Sequence, residues 1–252
     1  MASDPVTLRL TATVATITLD RPETGNRVDF EMAFAVREAC REISEDDGLR
    51  LVILTANGDV FSVESFREPD DTAQVAGEQA ASAVAGLAVP VLVALNGDAT
   101  GPGLELALAG DLRICVPSAR FGFGGLARGV LPQGGGTQRL PRLVGPAWAS
   151  DMLLTGRMVS ADEALAIGLV NRVAHEPGGL AREIKDLAAQ ITAGSPMGAR
   201  YAKEAVAKGM DLSLDQGLGL EADLNVILQS TSDRAEGIKS FLEKRGPEFK
   251  GT

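Results

Sequence analysis

The sequence predicts an α/β fold in which parallel strands are buried beneath helices. Short, continuously apolar runs alternate with longer amphipathic segments, which is the pattern of strands joined by helical crossovers. The chain has 252 residues, enough for one large domain. Hydrophobic residues make up 45% of it and charged residues 23%, as expected for a globular protein with a sizeable core.

Strands are expected where short apolar runs end in turn residues. The run over 14–19 alternates, as a half-buried strand does, whereas the runs over 51–54 and 91–95 are apolar throughout. Continuous apolar runs are typical of parallel strands that are covered on both faces. In chain order, the predicted strands span 6–10, 14–19, 51–54, 91–95 and 111–116.

Helices are expected where apolar residues recur every three or four positions. Asp29 stands at an N-cap position before such a series, whose members are Phe30, Ala33, Val36, Cys40 and Ile43. The predicted helices span 30–46, 72–87, 104–109, 137–144, 148–155, 160–167, 180–193, 196–208, 214–229 and 233–244. We therefore expect an α/β core over residues 1–190, followed by a helical C-terminal region over 191–252.

Composition excludes several classes of function. The net charge is −10 and no dense run of Lys or Arg occurs, so neither nucleic acid nor an anionic membrane is expected as a partner. Cys40 and Cys115 lie in apolar segments and are predicted to be small core residues in a reduced compartment. His175 is the only histidine, which leaves little material for a metal site or a Ser-His-Asp triad. We predict a cytoplasmic protein without a signal peptide, membrane span or bound metal.

A glycine-rich helix start is the most informative motif. Gly101-Pro102-Gly103 follows a predicted strand, but a dinucleotide fingerprint would need a glycine where Leu106 stands. Glu105 has only apolar neighbours, so it is either buried with a partner or lines a pocket. Burial would raise its pKa, which suits proton transfer. Alternatively, the helix dipole or an arginine stabilises Glu105 in a purely structural role.

Backbone N–H groups at this helix start are a second candidate feature. Such groups can stabilise the oxyanion that forms when a thioester becomes an enolate. Pro102 removes one of these donors, because proline has no N–H. Gly103 is then the remaining candidate donor of the helix start.

A series of further short motifs runs along nearly the whole chain. The motifs are Leu19-Asp20-Arg21-Pro22 with Asn26, Phe61-Ser62, Asn96-Gly97, Gly101 to Glu105, Gly110-Asp111, Phe121-Gly122, Gly135-Gly136-Thr137-Gln138-Arg139-Leu140, Leu154-Thr155-Gly156, Gly168-Leu169-Val170 and Phe241-Leu242-Glu243-Lys244-Arg245. Together, and in this order, they resemble the crotonase (enoyl-CoA hydratase/isomerase) superfamily. The resemblance implies a spiral of ββα units with a helical C-terminal part that mediates assembly into a homotrimer or a dimer of trimers.

The resemblance also implies an acyl-CoA thioester as the ligand, with coenzyme A as part of the substrate and no separate cofactor. In the family two backbone N–H groups hold the thioester oxygen, and by position they fall on Ser65 and Pro102. Two glutamates flank the substrate in the hydratases, and they fall on Glu105 and Gly125. The positions matched to substrate or coenzyme A contacts are Pro22, Asn26, Arg27, Val28, Ser65, Phe66, Arg67, Gly101 and, from a neighbouring chain, Phe241 and Lys244.

Three departures from the family pattern fall at the reaction centre. Pro102 replaces the glycine that gives the second oxyanion donor, Gly125 replaces the second acid, and Glu64 replaces a glycine just before Ser65. Glu64 would supply a second carboxylate if its side chain turned inward, but we expect it to be a solvated loop residue.

The leading hypothesis is hydration of a trans-2-enoyl-CoA in fatty-acid metabolism, slowed by the changes at Pro102 and Gly125. Glu105 would be the acid/base and the Ser65 N–H the oxyanion donor. Two alternatives stay open. One is a double-bond isomerase that needs a single carboxylate, and the other is a non-catalytic acyl-CoA-binding protein on the same scaffold.

Overall fold

A six-stranded sheet lies at the centre of the part of the chain that the structure describes. The structure is a computed structural model; it describes residues 4–64, 71–176 and 178–252, without the side chains of 71–76. The strands in spatial order are β1 (Val6–Leu10), β2 (Val14–Leu19), β3 (Leu51–Ala56), β4 (Val91–Leu95), β6 (Leu112–Cys115) and β9 (Arg172–Val173). The first two strands pair antiparallel, and all later pairs are parallel, as the apolar runs predict.

A second, smaller sheet stands beside the first and was not predicted. Its strands are β5 (Ala99–Thr100), β7 (Arg120–Gly122) and β8 (Val159–Ser160). Strands of two or three residues are too short to show a periodic pattern in the sequence. This sheet fixes the entry to the glycine-rich helix, because the Gly101 N–H donates to the Gly122 carbonyl at 3.1 Å.

The helices agree with the predicted series apart from their ends. They are α1 (Phe30–Ser44), α2 (Asp71–Ala85), α3 (Pro102–Leu108), α4 (Arg139–Thr155), α5 (Ala161–Ala166), α6 (Gly179–Thr192), α7 (Pro196–Gly209), α8 (Leu214–Gln229) and α9 (Ser232–Glu243). Two predicted helices, 137–144 and 148–155, are the two arms of α4. They are separated by Gly145, which is non-helical (φ 80°, ψ 160°) before Pro146.

Helix α1 confirms its predicted N-cap, and most members of its apolar series are buried. The Asp29 carboxylate accepts a hydrogen bond from the Met32 N–H at 2.9 Å, which satisfies a donor of the first turn. Phe30, the first member of the apolar series, is not buried. Its side chain is 64% exposed, because it lies with Phe34 along an open groove between α1 and β1.

Both faces of the sheet are covered, which explains why its central strands are apolar throughout. On one face Leu54 and Val93 belong to the main core with residues of α1, α2 and α3. On the other face Ile53 and Leu92 pack in a second cluster with Leu187 of α6. Every residue of β4 is buried.

The C-terminal helices are tied to the core by buried polar contacts. Asp233 is 1% exposed and accepts hydrogen bonds from the Ser195 hydroxyl (2.7 Å) and the Gly251 N–H (3.0 Å). Burial alone would raise the pKa of Asp233, but these hydrogen bonds outweigh burial and lower it. Arg50, which directly precedes β3, donates to the carbonyls of Thr192 at the end of α6 and Phe249 after α9. These hydrogen bonds connect the segment after α9 to the start of β3.

The other residues singled out by composition lie where expected. Cys40 and Cys115 are free and buried, and burial raises the pKa of both thiols to about 12. His175 is exposed in the loop after β9. The described residues contain no helix that is long and apolar enough to cross a membrane. They also contain no group of His, Cys, Asp and Glu that could hold a metal ion.

Candidate active site

Helix α3 buries a carboxylate inside the fold. Residues from Gly103 to Leu108 are buried, and Glu105 among them is only 2% exposed. A helix that is apolar on all sides belongs in a core, so the charged residue within it needs a specific reason. Its side chain lies at a small cavity of about 20 Å³, which is room for about one water molecule. The cavity is lined by Glu64, Gly101, Pro102, Glu105, Phe123, Gly125, Val130 and Pro132.

The environment of Glu105 favours a titrating carboxyl group. Burial raises its pKa, and backbone N–H groups of Gly136, Gly134 and Gln133 together with the charge of Arg139 only partly oppose this. The Gly136 N–H donates to Glu105 Oε1 at 2.8 Å. The raised pKa brings the group nearer to neutral pH, where an acid/base is most effective.

The glycine run before α4 lets the backbone approach this carboxyl group. A Cβ on Gly134 would lie 3.1 Å from Glu105 Cβ and 3.2 Å from its Oε2, so a side chain there would press on Glu105. Arg139, which begins α4, donates to the Gly134 carbonyl and steadies the turn. The Gly135-Gly136 motif belongs to this turn, but nothing in its sequence pattern connects it to Glu105.

Glu64 was expected to be a solvated loop residue, and this was wrong. Its side chain is only 15% exposed, because the carboxylate turns into the cavity and forms an ion pair with Arg128 through Oε1. Its N–H donates to Thr100 Oγ1 at 2.8 Å, which fixes its backbone beside β5. Oε2 is buried and has no hydrogen-bond partner among the described residues.

The other two altered family positions, Pro102 and Gly125, line the same cavity. Pro102 is the first residue of α3, where its missing N–H costs the helix nothing, and a Cβ on Gly77 of α2 would lie 3.0 Å from its ring. Gly125 begins a short 3-10 helix. A Cβ there would lie 2.9 Å from the Val130 carbonyl oxygen, so the loop has no room for a longer side chain.

Gly103, the candidate backbone donor, is held in a very close approach to the preceding loop. A Cβ at this position would lie 2.4 Å from the Ser62 carbonyl oxygen. No side chain is compatible with that distance, so only glycine allows α3 to pack here.

The predicted coenzyme A positions are distributed over several places. Asn26 is fully buried, and its side-chain amide donates to the carbonyls of Asn57 and Val60 and accepts from the Arg21 N–H. Its side chain is therefore committed to joining two loops and has no surface for a ligand. Val28 is also buried. Pro22 is exposed and Arg27 is half-buried.

Of the remaining predicted contacts, Phe241 and Lys244 are not brought to the cavity within this chain. Ser65, Phe66 and Arg67 lie outside the described residues. Phe241 on α9 is 82% exposed, and Lys244 follows the same helix in a left-handed conformation (φ 54°). Neither Phe241 nor Lys244 is among the described residues that line the cavity. Arg128, Phe123, Val130 and Pro132 do contribute to the site, and no spacing pattern in the sequence pointed to them.

An α/β fold that buries a carboxyl group of raised pKa at the start of an internal helix is of the kind expected for an enzyme that uses acid/base chemistry. The chain belongs to the enoyl-CoA hydratase/isomerase family, whose family model matches residues 9–252. A crotonyl-CoA hydratase of Syntrophomonas wolfei is 34% identical over 99% of each chain. An (E)-benzylidenesuccinyl-CoA hydratase of Thauera aromatica is 37% identical over 98% of this chain and 99% of its own.

The solved structures agree with this assignment. The crystal structure of an enoyl-CoA hydratase from Bacillus anthracis superimposes with a TM-score of 0.93 at 33% identity. It covers 98% of this chain and 100% of its own. The predicted crotonase-type α/β fold is therefore confirmed.

Proposed function

We propose that the protein hydrates a short trans-2-enoyl-CoA, with Glu105 as an acid/base. The buried Glu105 carboxyl at the cavity, with its raised pKa, is the observation on which this rests. Relatives of nearly full length are named crotonyl-CoA hydratase (34% identical) and short-chain-enoyl-CoA hydratase (33% identical), which supports this substrate class. Coenzyme A arrives as part of the substrate, so the proposed reaction needs no separate cofactor.

The chemistry requires stabilisation of an enolate at the thioester oxygen. The Ser65 N–H is one proposed donor, and the Gly103 N–H is a candidate for the other because Pro102 has none. Loss of one such donor costs about 10²–10³ in rate, so we expect turnover below that of an unaltered site.

Two other functions remain as alternatives, each favoured by a specific observation. Gly125 lines the cavity without a carboxylate, which favours an isomerase that moves one proton with Glu105 alone. The same glycine together with Pro102 favours a protein that binds acyl-CoA without turnover.

Two measurements separate these functions. Isothermal titration with butyryl-CoA reports binding, and loss of the enoyl-thioester absorbance of crotonyl-CoA reports hydration. Binding with turnover supports the proposal. Binding without any loss of absorbance would leave the isomerase and the binding protein, and the conversion of 3-butenoyl-CoA to crotonyl-CoA distinguishes those two.

Lys244 is proposed to meet the phosphates of coenzyme A bound to a neighbouring chain. We expect Lys244→Asn to weaken butyryl-CoA binding about fivefold at low ionic strength, which is the upper range for an exposed charge pair. Asparagine removes the charge and tolerates the left-handed backbone (φ 54°). The difference should shrink as salt is added. Lys185→Gln on the exposed side of α6 is the control, and equal affinities for both variants and wild type would refute this role.

Assembly into trimers, or dimers of trimers, is proposed from the C-terminal helices. Leu214 on α8 and Phe241 and Leu242 on α9 are more than 70% exposed, an unusual state for large apolar side chains that a partner surface would relieve. We expect light scattering to give a mass of three or six times 26.2 kDa at micromolar concentration. A mass of one chain would remove this proposal.

A further inference from the structure

We propose that Glu64 is the second carboxylate of the reaction centre and that its Oε2 binds and deprotonates the water that adds to the enoyl group. This inference rests on the proposed hydration. Where Gly125 provides no carboxyl group, Glu64 brings one to the same cavity from a different loop.

The geometry places the two glutamates at one small space. Glu64 and Glu105 both line the cavity of about 20 Å³, which has room for about one water molecule. A Cβ on Gly101 would lie only 2.8 Å from Glu64 Oε2, so this oxygen lies over the residue that precedes α3. Glu105 is one helical turn further on, and its N–H donates to the Gly101 carbonyl at 3.0 Å.

The two oxygens of Glu64 have different surroundings. Oε1 is held by Arg128, which fixes the orientation of the group. Oε2 is buried with no hydrogen-bond partner among the described residues. Buried acceptors in proteins are almost always paired, so an oxygen left this way at a cavity is suited to accept from a small donor such as water.

Hydration needs one group that accepts a proton from water and one that gives a proton to carbon. With Gly125 lacking a side chain, Glu105 alone would have to serve both ends of the double bond. Glu64 divides the work: the carboxylate paired with Arg128 is the base, and the Glu105 carboxyl among its apolar neighbours is the acid.

The atoms balance in this scheme. The water oxygen bonds to C3 of the enoyl group while one water proton passes to Glu64 Oε2. The electron pair of the C2–C3 double bond moves toward C2 and the thioester oxygen, and the proton of Glu105 passes to C2. Glu64 is then protonated and Glu105 ionised, and a proton transfer between them through solvent restores the site. No oxidant or reductant is consumed.

The test compares two reactions of the same protein. Hydration of crotonyl-CoA uses water, whereas isomerisation of 3-butenoyl-CoA moves one proton from C2 to C4 and needs a single carboxylate. We expect Glu64→Gln to lower kcat for hydration by about 10²-fold, the lower range for loss of an acid/base. Isomerisation should stay within about threefold of wild type, because Glu105 is untouched. Glu45→Gln, which breaks an exposed Glu–Arg pair at the C-terminal end of α1, is the matched control and should alter neither reaction.

Other outcomes overturn the inference in recognisable ways. Equal losses of both reactions in Glu64→Gln would assign Glu64 a purely structural role, and no loss would show that it does not activate water. In both cases the proposed function survives if Glu105→Gln abolishes the two reactions.

A wild type that binds butyryl-CoA but performs neither reaction removes the proposed function and this inference with it. Should Glu64→Gln fail to fold, Glu64→Asp keeps the charge toward Arg128 while withdrawing Oε2, and the same selective loss of hydration is expected.

Discussion

Replacing Glu105 by glutamine is expected to lower crotonyl-CoA hydration by at least about 10³-fold, within the range for an essential acid/base. Binding of butyryl-CoA should stay nearly unchanged, because glutamine has the same size and its Oε1 can still accept from the Gly136 N–H. Absorbance at the enoyl thioester and isothermal titration measure the two quantities. If the variant hydrates crotonyl-CoA at the rate of wild type, Glu105 is a structural residue.

The same variant should also change how stability depends on pH. The pKa of Glu105 is raised in the folded protein, so the folded state binds more protons than the unfolded state above the ordinary pKa of about 4.3. The contribution of Glu105 to stability is therefore full below that pH and declines as pH rises through the raised pKa. Relative to wild type, Glu105→Gln should gain in free energy of unfolding as the pH rises above about 4.3 in urea titrations at a series of pH values. Glu45→Gln makes the same chemical change at an exposed carboxylate and is the control for the substitution itself.

Gly103→Ala is expected to have the largest effect on stability. The new Cβ would lie 2.4 Å from the Ser62 carbonyl oxygen and 2.5 Å from the Ser62 Cβ. Ser62 is poorly placed to retreat, because its hydroxyl donates to the Asn26 carbonyl at 2.8 Å and its carbonyl accepts from the Thr100 N–H at 3.0 Å. We expect a loss of about 3 kcal/mol in free energy of unfolding, the upper range for overpacking. For a chain of this size that lowers Tm by about 10 °C.

The control for this substitution is another helical glycine. Gly209 is the last residue of α7, and a Cβ there would meet nothing within 4 Å. Gly209→Ala should stay within about 0.5 kcal/mol of wild type. If thermal unfolding shows both variants to be equally stable, the loop at Ser62 can move away from α3 without loss of stability. The close approach of Ser62 to Gly103 would then not require glycine.

The main sheet and most helices could be predicted because each has a recognisable pattern within its own stretch of sequence. β4 is five consecutive buried apolar residues, and α1 has both a capping aspartate and an apolar face of the correct period. The sheet of β5, β7 and β8 could not be predicted, because each strand has only two or three residues and is fixed by its partners. Periodicity marks the apolar series of α1 but not where neighbouring strands stop covering it, so the exposure of Phe30 could not be predicted.

The site divides in the same way. Glu105 could be identified from the sequence because all its neighbours are apolar. A carboxylate that conflicts with its surroundings in this way is expected at a functional site. Glu64 and Arg128 are 64 positions apart, and only the tertiary fold brings them together. Their ion pair turns Glu64 inward, which no local pattern indicates.

The contact from Arg50 to the carbonyl of Phe249 bears on the order in which the protein is made. During synthesis the chain leaves the ribosome from its first residue onward, and domains tend to fold as they emerge. Arg50 emerges about 200 residues before Phe249. For most of translation its guanidinium therefore lacks the Phe249 carbonyl as a hydrogen-bond acceptor. The parallel strands can pair earlier. The contact between Arg50 and Phe249 joins residues far apart in the sequence, and such contacts form slowly. A ribosome stalled shortly before Phe249 emerges should therefore hold a nascent chain whose sheet resists protease while its final helices are cut.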